Sequence, residues 1–410
     1  MKIVLAYSGG LDTSVALRWL ADTYKAQVIA FCADIGQKED LKAVAEKARR
    51  TGASQVFVED LREYFLTEYA FRSLAAGTRY EGDYLLAAPL SRPLIAERAI
   101  KIALAEGADA VAHGATGKGN DQVRFYSSFV ALAPELKVLA PVIDWEMKSR
   151  DDEIQYAIKH NIPISQKEGP DYSIDTNIWG SSIECGPLDD LAQAPPEEVY
   201  QLTQPPNKTG LPPEEVSIGF KAGRPVSLNG QELPAVALVT RLNELASRHG
   251  VGRIDIIENR VVGIKTRGIY ECPAGTVLHL AHRELEKVVL DRDTFHLKTT
   301  LGDRYATLIY DGLWFSPLRF ALDQFVDYTQ RRITGTITVQ LANGQVIVRT
   351  RRSPFALYSN SLSTYGAGDT FNHAAGRGFA YVKGLPLRLW FQQQESEKNV
   401  VEQGEWKKAI

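Results

Sequence analysis

Residues 2–14 read KIVLAYSGGLDTS, and this stretch decides the fold of the N-terminal part of the chain. The apolar run at residues 3–7 predicts a buried strand, Gly9-Gly10 breaks it, and apolar residues at helical spacing follow from Thr13. Glycine accepts positive φ and lets a ligand approach the backbone, while the free N–H groups of a helix N-terminus favour an anion. The stretch therefore predicts a strand–turn–helix that binds a phosphate chain. The alternative is a purely structural turn in which Ser and Thr act only as caps.

The alternation of buried strand and helix continues to about residue 165. Apolar runs at 28–33, 56–58, 110–112 and 138–143 predict further strands. A helix is predicted over Pro93–Glu106, and a capping box at Ser149 and Asp152 predicts another. Strands that are apolar throughout and separated by helices are typical of a parallel sheet covered on both faces. We predict an α/β fold in which residues 1–165 form a nucleotide-binding domain, a doubly wound parallel sheet with an SGGxDT pyrophosphate loop.

The pattern changes after Pro195, where three Pro-Pro pairs indicate a loop-rich connection. Later, alternating runs at 336–339 and 346–348 flank Asn343-Gly344, the strongest short signal for a β-hairpin. Antiparallel pairing predicts a second, α+β synthetase domain over residues 166–355. Residues 356–410 are rich in glycine and polar residues around a short amphipathic segment, Phe371–Val382, and predict a helical oligomerisation arm and tail that either frays or docks on another subunit.

Composition and charge exclude several classes of protein. The chain has 410 residues, 44% hydrophobic and 24% charged, which is typical of a globular protein. A net charge of −3 provides no general field for nucleic acid or an anionic membrane, and no apolar run is long enough to span a bilayer. The chain starts without a signal-peptide pattern, and Cys32, Cys185 and Cys272 form no CxxC pair. We predict a cytoplasmic protein with no nucleic-acid or membrane partner.

A second loop follows the apolar run at 110–112 and reads HGATGKGNDQVRF over residues 113–125. Neither loop has the P-loop or the dinucleotide-binding pattern, because the glycine spacing differs and Lys118 precedes Gly. Residues 118–124 provide a cation, an amide, a carboxylate and a guanidinium, a mixture that suits a small zwitterion. A solvated turn capped by Asn120 or Asp121 is the alternative interpretation.

These motifs together resemble one family. The form SGGxD[ST] resembles the loop of enzymes that cut ATP between its α- and β-phosphates. AYSGGLDTS and GATGKGNDQVRF are similar, almost letter for letter, to the two signatures of the argininosuccinate synthases. Residues 258–271, ENRVVGIKTRGIYE, also resemble that family, which usually has Ser where Thr266 stands. The likeness runs along nearly the whole chain.

The resemblance implies a ligase of arginine biosynthesis that joins citrulline to aspartate through a citrullyl-adenylate, with ATP as co-substrate and Mg²⁺. It also implies a homotetramer whose C-terminal arms embrace neighbours. The metal ligands are not readable, although Asp12 could act through water. The residues implied for ATP are Ala6, Tyr7, Ser8, Gly9, Gly10, Leu11, Asp12, Thr13, Ser14, Ala33 and Gly114. Those implied for citrulline are Tyr84, Asn120, Arg124, Ser173, Ser182, Glu258 and Tyr270. Those implied for aspartate are Thr116, Asn120 and Asp121, and the catalytic candidates are Asp12, Lys118, Asp121 and Arg124.

The chain departs from the family pattern at one place, where Ala88-Pro89 replaces the usual Thr-Ser. A hydroxyl expected near citrulline is missing, and Pro89 removes a backbone donor. Rival predictions are a tRNA thiolase, a glutamine-dependent amide-forming enzyme and a nucleotide-binding sensor without turnover. The absence of a cysteine pair, of a basic surface and of an amidotransferase motif disfavours the first two. The intact polar residues of both loops disfavour the third.

Overall fold

A parallel sheet forms the N-terminal part of the protein in this computed structural model, which describes residues 1–163 and 172–402. Its strands are β1 (Lys2–Ala6), β2 (Gln27–Asp34), β3 (Gln55–Asp60), β4 (Ala110–Ala112) and β5 (Lys137–Leu139). They lie in the order β3-β2-β1-β4-β5, and every neighbouring pair is parallel. The predicted doubly wound sheet is confirmed. The strand order reverses between β1 and β4, the point at which open α/β sheets bind ligands.

Successive residues of β1 point to opposite sides of the sheet. Both sets of side chains are apolar, so helices cover both faces of the sheet. Ile3 and Leu5 belong to one apolar cluster with Leu17, whereas Val4 belongs to another with Leu90. The helices of this part are α1 (Leu11–Tyr24), α2 (Leu41–Thr51), α3 (Arg62–Tyr64) continued by a π-helical stretch (Phe65–Ala70), α4 (Phe71–Ala76), α5 (Ala87–Glu106), α6 (Asn120–Leu132), α7 (Pro141–Asp144) and α8 (Arg150–Lys159).

Two helix predictions have clear outcomes. The capping box at the start of α8 is confirmed, since the Ser149 side chain and Asp152 satisfy each other's backbone N–H groups. The predicted start of α5 is wrong, because the helix begins at Ala87 and Pro93 lies inside it. Pro89 falls in the first turn, where N–H groups have no intrahelical partner, so that proline removes no helical hydrogen bond.

Two antiparallel sheets follow in the second part of the chain. One has the order β11-β12-β7-β6 and the other β10-β9-β8-β13-β14. The hairpin predicted at Asn343-Gly344 is confirmed, with φ of 48° and 77° at the two turn residues, as a primed turn requires. The strands are β6 (Ser173–Asn177), β7 (Gly180–Glu184), β8 (Glu214–Lys221), β9 (Arg224–Leu228), β10 (Gln231–Glu232), β11 (Arg253–Asn259), β12 (Lys265–Glu271), β13 (Gly335–Ala342) and β14 (Gln345–Arg352).

Helices pack against these sheets and against the N-terminal part. They are α9 (Ala235–Arg248), α10 (Pro273–Val289), α11 (Arg292–Tyr310) and α12 (Pro317–Gln330), with 3₁₀ turns at Gly186–Asp189 and Glu197–Val199. No helix among the described residues is both long enough and apolar enough to cross a bilayer.

The chain divides into a unit spanning Met1–Ala356 and a second that begins at Leu357. The second unit contains α13 (Asn360–Ser363) and α14 (His373–Glu402). The amphipathic segment predicted to end at Val382 is therefore too short, because helix-favouring Gln, Glu and Lys residues extend it. The predicted boundary at residue 165 lies outside the described residues and stays a prediction, as does the boundary at residue 355.

Candidate functional site

The first loop turns tightly between β1 and α1. Gly9 has a φ of 81°, and a β-carbon there would lie 2.9 Å from Val44 Cγ1, so only glycine fits without a shift. Gly10 is the N-cap of α1 and makes no side-chain cap, so the N-terminus of the helix offers its N–H groups to an anion.

Hydroxyl groups and one ammonium surround this turn. Ser8 Oγ lies 3.1 Å from Thr13 Oγ1, and Ser14 Oγ donates to the Gly10 carbonyl at 2.7 Å. Lys47 of α2 donates from Nζ to the Gly9 carbonyl at 2.7 Å, and burial lowers the pKa of that lysine. The loop therefore combines helix N–H groups, hydroxyls and a cation, the groups that hold phosphates.

The second loop meets the first across the strand-order reversal. Gly114 follows β4, and a β-carbon on it would lie 2.6 Å from Thr13 Cγ2. Burial lowers the pKa of His113 to about 4, so its imidazole is neutral and Nδ1 accepts from the Ala115 N–H at 3.2 Å. The start of the second loop is thus held beside the N-terminus of α1.

A cavity of about 260 Å³ opens beside both loops. It is bounded by the ends of the parallel sheet, by α5 and α6, and by the β6–β7–β11–β12 sheet. Its lining includes all of the predicted citrulline and aspartate residues: Tyr84, Thr116, Asn120, Asp121, Arg124, Ser173, Ser182, Glu258 and Tyr270, together with Asp12 and Gly114.

An ion network forms one wall of the cavity. Arg92 donates from Nε to Asp121 Oδ2 at 2.9 Å and also binds Asp175, while Arg124 donates to Asp121 Oδ1 at 2.8 Å. Burial alone would raise the pKa of Asp121, but the charges and hydrogen bonds of the two arginines outweigh it and lower that pKa. Asp121 is therefore held ionised.

Tyr310 of α11 holds two residues of α6, Asn120 and Arg124, that are predicted to bind citrulline. Its hydroxyl accepts from Asn120 Nδ2 at 2.8 Å, and its carbonyl accepts from Arg124 Nε at 2.8 Å. Asn120 Oδ1 accepts from the Val261 N–H at 3.0 Å, which ties α6 to the loop after β11. Both side chains are buried and fixed before any ligand binds.

Two stacked tyrosines and a buried carboxyl form another part of the cavity wall. Tyr84 and Tyr270 stack with ring centroids 3.7 Å apart, and the Tyr84 hydroxyl lies 3.2 Å from Ser182 Oγ. Tyr270 donates to Glu258 Oε2 at 2.8 Å. Burial raises the pKa of Glu258, more than the hydrogen bonds from tyrosines lower it.

Two carboxyl groups meet near the first loop. Glu153 of α8 hydrogen-bonds Asp12, and its Oε2 is buried without a partner among the described residues. Burial, together with the charge of Asp12 and the hydrogen bond to it, raises the pKa of Glu153 to about 8. The pair offers oxygen ligands next to the phosphate-binding turn, which suits a hard cation such as Mg²⁺.

Other predicted residues lie elsewhere. The remaining residues implied for ATP lie at the end of β1 (Ala6), in the first loop (Tyr7 to Gly10), in α1 (Leu11, Thr13 and Ser14) and near the end of β2 (Ala33), outside the lining of this cavity. Lys118 is exposed at the tip of the second loop, and the described cavity lining does not include it. Its carbonyl accepts from Arg260 at 3.3 Å.

Sequence reasoning missed several residues of the cavity. Arg92 and Asp175 complete the ion network, Glu184 and Arg260 pair beside it, and Tyr310 anchors α6. The only signal for Arg92 was its place three residues after Pro89, in the stretch where the chain departs from the family pattern. Arg260 lies in the segment 258–271 that resembles the family, whereas Asp175, Glu184 and Tyr310 lie in segments without a recognisable motif.

The position of Ala88 clarifies that departure. Ala88 lines the cavity, so the missing hydroxyl faces the predicted citrulline site. Ser91, one turn further on, donates from Oγ to the Ala88 carbonyl at 2.8 Å and accepts from Arg92 at 3.0 Å. A hydroxyl is thus retained near this end of α5, but it bonds protein groups.

Comparisons with known proteins agree with the geometry. Residues 2–163 match the model of the arginosuccinate synthase N-terminal HUP domain, and residues 172–390 match the model of the arginosuccinate synthase C-terminal domain. The chain is 56% identical over 388 residues to an argininosuccinate synthase of Rhodococcoides fascians, covering 94% of this chain and 98% of that relative. It is 51% identical to one of Pelodictyon phaeoclathratiforme, covering 95% and 97%, and 48% identical to one of Caldanaerobacter subterraneus, covering 98% of each. With both domain models matched in order over almost its full length, the chain belongs to the argininosuccinate synthase family.

Proposed function

We propose that this protein condenses L-citrulline with L-aspartate at the expense of ATP, releasing AMP, diphosphate and argininosuccinate, as a carbon–nitrogen ligase of arginine biosynthesis. The observation that carries the proposal is the meeting of the two loops, where Gly114 lies against Thr13. Because of this contact, a turn suited to an anion and a cavity whose lining groups are complementary to a zwitterion lie at one edge of the sheet. The proposal needs both in one place, because the adenylate forms between ATP and citrulline.

The first loop would hold ATP. The N-terminus of α1, Ser8, Thr13 and Lys47 surround the position of a phosphate chain. In the first step the ureido oxygen of citrulline attacks the α-phosphorus, an O–P bond forms, and the bond to the β-phosphate breaks as diphosphate leaves. Hydrogen bonds and positive charge that are already in place stabilise the departing diphosphate without reorganisation.

The cavity would hold citrulline between its two walls. Arg124 can bind the α-carboxylate by a charge-assisted hydrogen bond, although its Nε and one NH₂ group already have protein partners. Glu258, next to the stacked tyrosines, can accept from the ammonium group or from a ureido N–H. Tyr84, Ser173, Ser182 and Tyr270 would fix the orientation of the side chain between them.

Aspartate would enter beside Thr116, Asn120 and Asp121. In the second step its amine attacks the activated ureido carbon, a C–N bond forms, one proton is lost, and AMP leaves. Asp121 is a candidate for the proton acceptor, but two arginines lower its pKa, which makes it a weak base. The phosphate oxygens of the departing AMP are therefore the better acceptor, and Asp121 would position Arg92 and Arg124.

Mg²⁺ fits the donor set beside the first loop. Asp12 and Glu153 would hold it together with phosphate oxygens, because Mg²⁺ is usually bound by one or two carboxylates plus substrate phosphates. When bound, the ion would neutralise phosphate charge. Asp12 and Glu153 would then lose the shared hydrogen bond and act as ionised carboxylates.

We also propose that the enzyme works in the cytoplasm as a homotetramer through its C-terminal arm. Helix α14 exposes Phe379, Tyr381, Leu387, Trp390 and Phe391, each more than half exposed. Large apolar patches of this kind are typical of protein–protein contacts. Sedimentation of the intact protein tests the assembly, and a monomer at micromolar concentration would contradict it.

The proposed reaction is tested by measuring diphosphate release from MgATP with citrulline, with and without aspartate, and by identifying the products. We expect turnover that requires both amino acids and yields AMP rather than ADP, with argininosuccinate as the coupled product. Release of ADP, or turnover that is independent of citrulline, would contradict the proposal. In that case the next assays would keep ATP and replace citrulline with other acceptor molecules.

A further inference from the structure

A second cavity, of about 200 Å³, lies away from the two loops. It is enclosed by α4, α10 and α11 and by the turn that begins at Gly77. Leu74 and Phe295 form an apolar part of its wall. Three cationic side chains also line it, those of Arg79, Arg283 and Lys298. None of these residues belongs to the site proposed above.

The charges of this cavity are incompletely paired. Lys298 is buried and bound to Glu286, with 2.8 Å between Nζ and Oε1, so that pair is neutral. Arg79 and Arg283 have no ion pair or hydrogen bond of their side chains within the parts of the chain that the structure describes. Burial lowers the pKa of Arg79, the nearby charge of Arg283 lowers it further, and the charge of Asp83 raises it. A second carboxylate, that of Asp303, also lines the cavity. Asp303 and Arg283 are both exposed, so solvent screens their charges, whereas Arg79 is partly buried.

A buried ring nitrogen without a partner also lies at this cavity. His279 of α10 lines the cavity and is 4% exposed, and its Nε2 has no hydrogen-bond partner among the described residues. Burial and the neighbouring cations keep its imidazole neutral by lowering its pKa. A buried polar atom without a partner costs free energy unless a ligand or water satisfies it.

We propose that this cavity binds a small oxyanion, a phosphate or dicarboxylate group, through Arg79, Arg283 and His279. Two guanidinium groups can fork onto the oxygens of such an anion, and a neutral imidazole can donate one more hydrogen bond. Binding would relieve the repulsion between the two arginines, neither of which has a side-chain partner among the described residues. Lys298 and Glu286 would remain paired behind the anion.

The cavity is connected to the proposed citrulline site by a short turn. Arg79 precedes Tyr80, whose N–H donates to the Tyr84 carbonyl at 2.9 Å. Tyr80 stacks on Tyr310 with ring centroids 3.6 Å apart, and Tyr84 lines the citrulline site. An anion that fixes Arg79 would therefore order a turn whose other face holds Tyr80 and Tyr84. We expect it to lower the KM for citrulline, a coupling between two sites that rests on the proposed function.

Binding is tested by calorimetry on the full-length enzyme with its substrate sites filled by citrulline, aspartate and a non-hydrolysable ATP analogue. Inorganic phosphate and malonate are the probes, because they separate a phosphate source from a carboxylate source. We expect one of them to bind with one site per chain and to lose at least about tenfold in affinity in R79Q/R283Q. The matched control R292Q/R332Q removes two exposed arginines outside the cavity and should bind as the unmodified protein does.

Two results would overturn the site: neither probe binds, or R79Q/R283Q binds as tightly as the control while its circular dichroism matches. The coupling is tested by the citrulline KM with a saturating concentration of the probe that binds. A lower KM in the unmodified enzyme and in R292Q/R332Q, but not in R79Q/R283Q, is expected. An unchanged KM would overturn the coupling. Because calorimetry needs no turnover, failure of the proposed reaction leaves the binding result readable.

Discussion

Gly114 lies so close to Thr13 that a β-carbon on Gly114 would sit 2.6 Å from Thr13 Cγ2. The two residues come from different loops, one after β1 and one after β4, and these strands are neighbours in the sheet. Their contact sets the distance between the glycine turn of the first loop and the wall of the cavity. Any side chain at residue 114 must therefore separate the loops or displace Thr13.

We expect Gly114→Ala to raise the KM for ATP and to lower kcat/KM for ATP by about tenfold to a hundredfold, because a misplaced reacting group costs this much. Overpacking should also reduce the free energy of unfolding by about 1–3 kcal/mol. Gly117→Ala is the matched control, since the nearest atoms to its β-carbon lie 3.8 Å away. Steady-state kinetics that do not distinguish the two variants would remove the role assigned to this contact.

The pair of Asp12 and Glu153 predicts a pH dependence of stability. The pKa of Glu153 is raised from 4.5 to about 8 in the folded protein. Between these values the unfolded chain releases the proton and the folded chain keeps it, so the contribution of Glu153 to stability is lost as pH rises through this window. Glu153→Gln has no such proton, and its free energy of unfolding should exceed that of the unmodified protein by about 1–2 kcal/mol near pH 8, after allowance for solvent screening.

Urea unfolding at about pH 5 and about pH 8 measures this difference. The difference in free energy of unfolding between the variant and the unmodified protein should be larger at the higher pH. Glu146→Gln, which replaces another glutamate near the start of α8, is the control and should show the same gap at both values. A gap that is equal at both pH values for Glu153→Gln would contradict the raised pKa.

Glu258 should matter for citrulline and little for ATP. Its carboxyl is buried under Tyr270, so Glu258→Gln removes the charge while keeping the shape. We expect kcat/KM for citrulline to fall about a hundredfold, the magnitude of a lost hydrogen bond to a charged group, with the KM for ATP unchanged. Glu244→Gln, at an exposed position of α9, is the matched control. An equal rise in the KM for both substrates would show that the cavity as a whole has been disturbed.

Arg92 binds two carboxylates, those of Asp121 and Asp175, and this arrangement depends on the shape of the guanidinium group. Arg92→Lys keeps the charge but has a single nitrogen, so it cannot bind Asp121 and Asp175 from two nitrogen atoms held apart in a planar group. We expect the KM for aspartate to rise about tenfold, because Asp121 would lose one of its two partners. Arg98→Lys on the same helix is the control, since Arg98 pairs with Glu59 outside the cavity. Aspartate kinetics that are the same in both variants would exclude a positioning role for Arg92.

Ala88 gives a test of the departure from the family pattern. Ala88→Thr restores a hydroxyl at a position that lines the cavity. If that hydroxyl bonds citrulline, the KM should fall about fivefold, the equivalent of roughly 1 kcal/mol for one hydrogen bond. Ala88→Val has the same shape without the hydroxyl and should not lower the KM. A fall in both variants would assign the effect to packing.

Local patterns were readable without the structure. The strand–turn–helix at residues 2–14, the capping box of α8 and the Asn343-Gly344 hairpin each depend on residues close together in the chain. Two element bounds differ from the predictions, one where packing overrides local preference and one where local helix propensity extends the helix beyond the amphipathic pattern. Helix α5 begins at Ala87 and contains Pro93, and α14 extends to Glu402 beyond the amphipathic segment.

The sequence by itself determined the fold class, the glycine turn of the first loop and the family, because glycine spacing, helix termini and apolar periodicity are local properties of the chain. Tertiary structure alone decided how the cavity is built. Arg92 bonds Asp175 across 83 residues, and Asn120 bonds Tyr310 across 190. No local pattern marks such partners, since their pairing results from the packing of separate sheets and helices. The same packing left Lys118 exposed at the tip of its loop and brought Glu153 to Asp12.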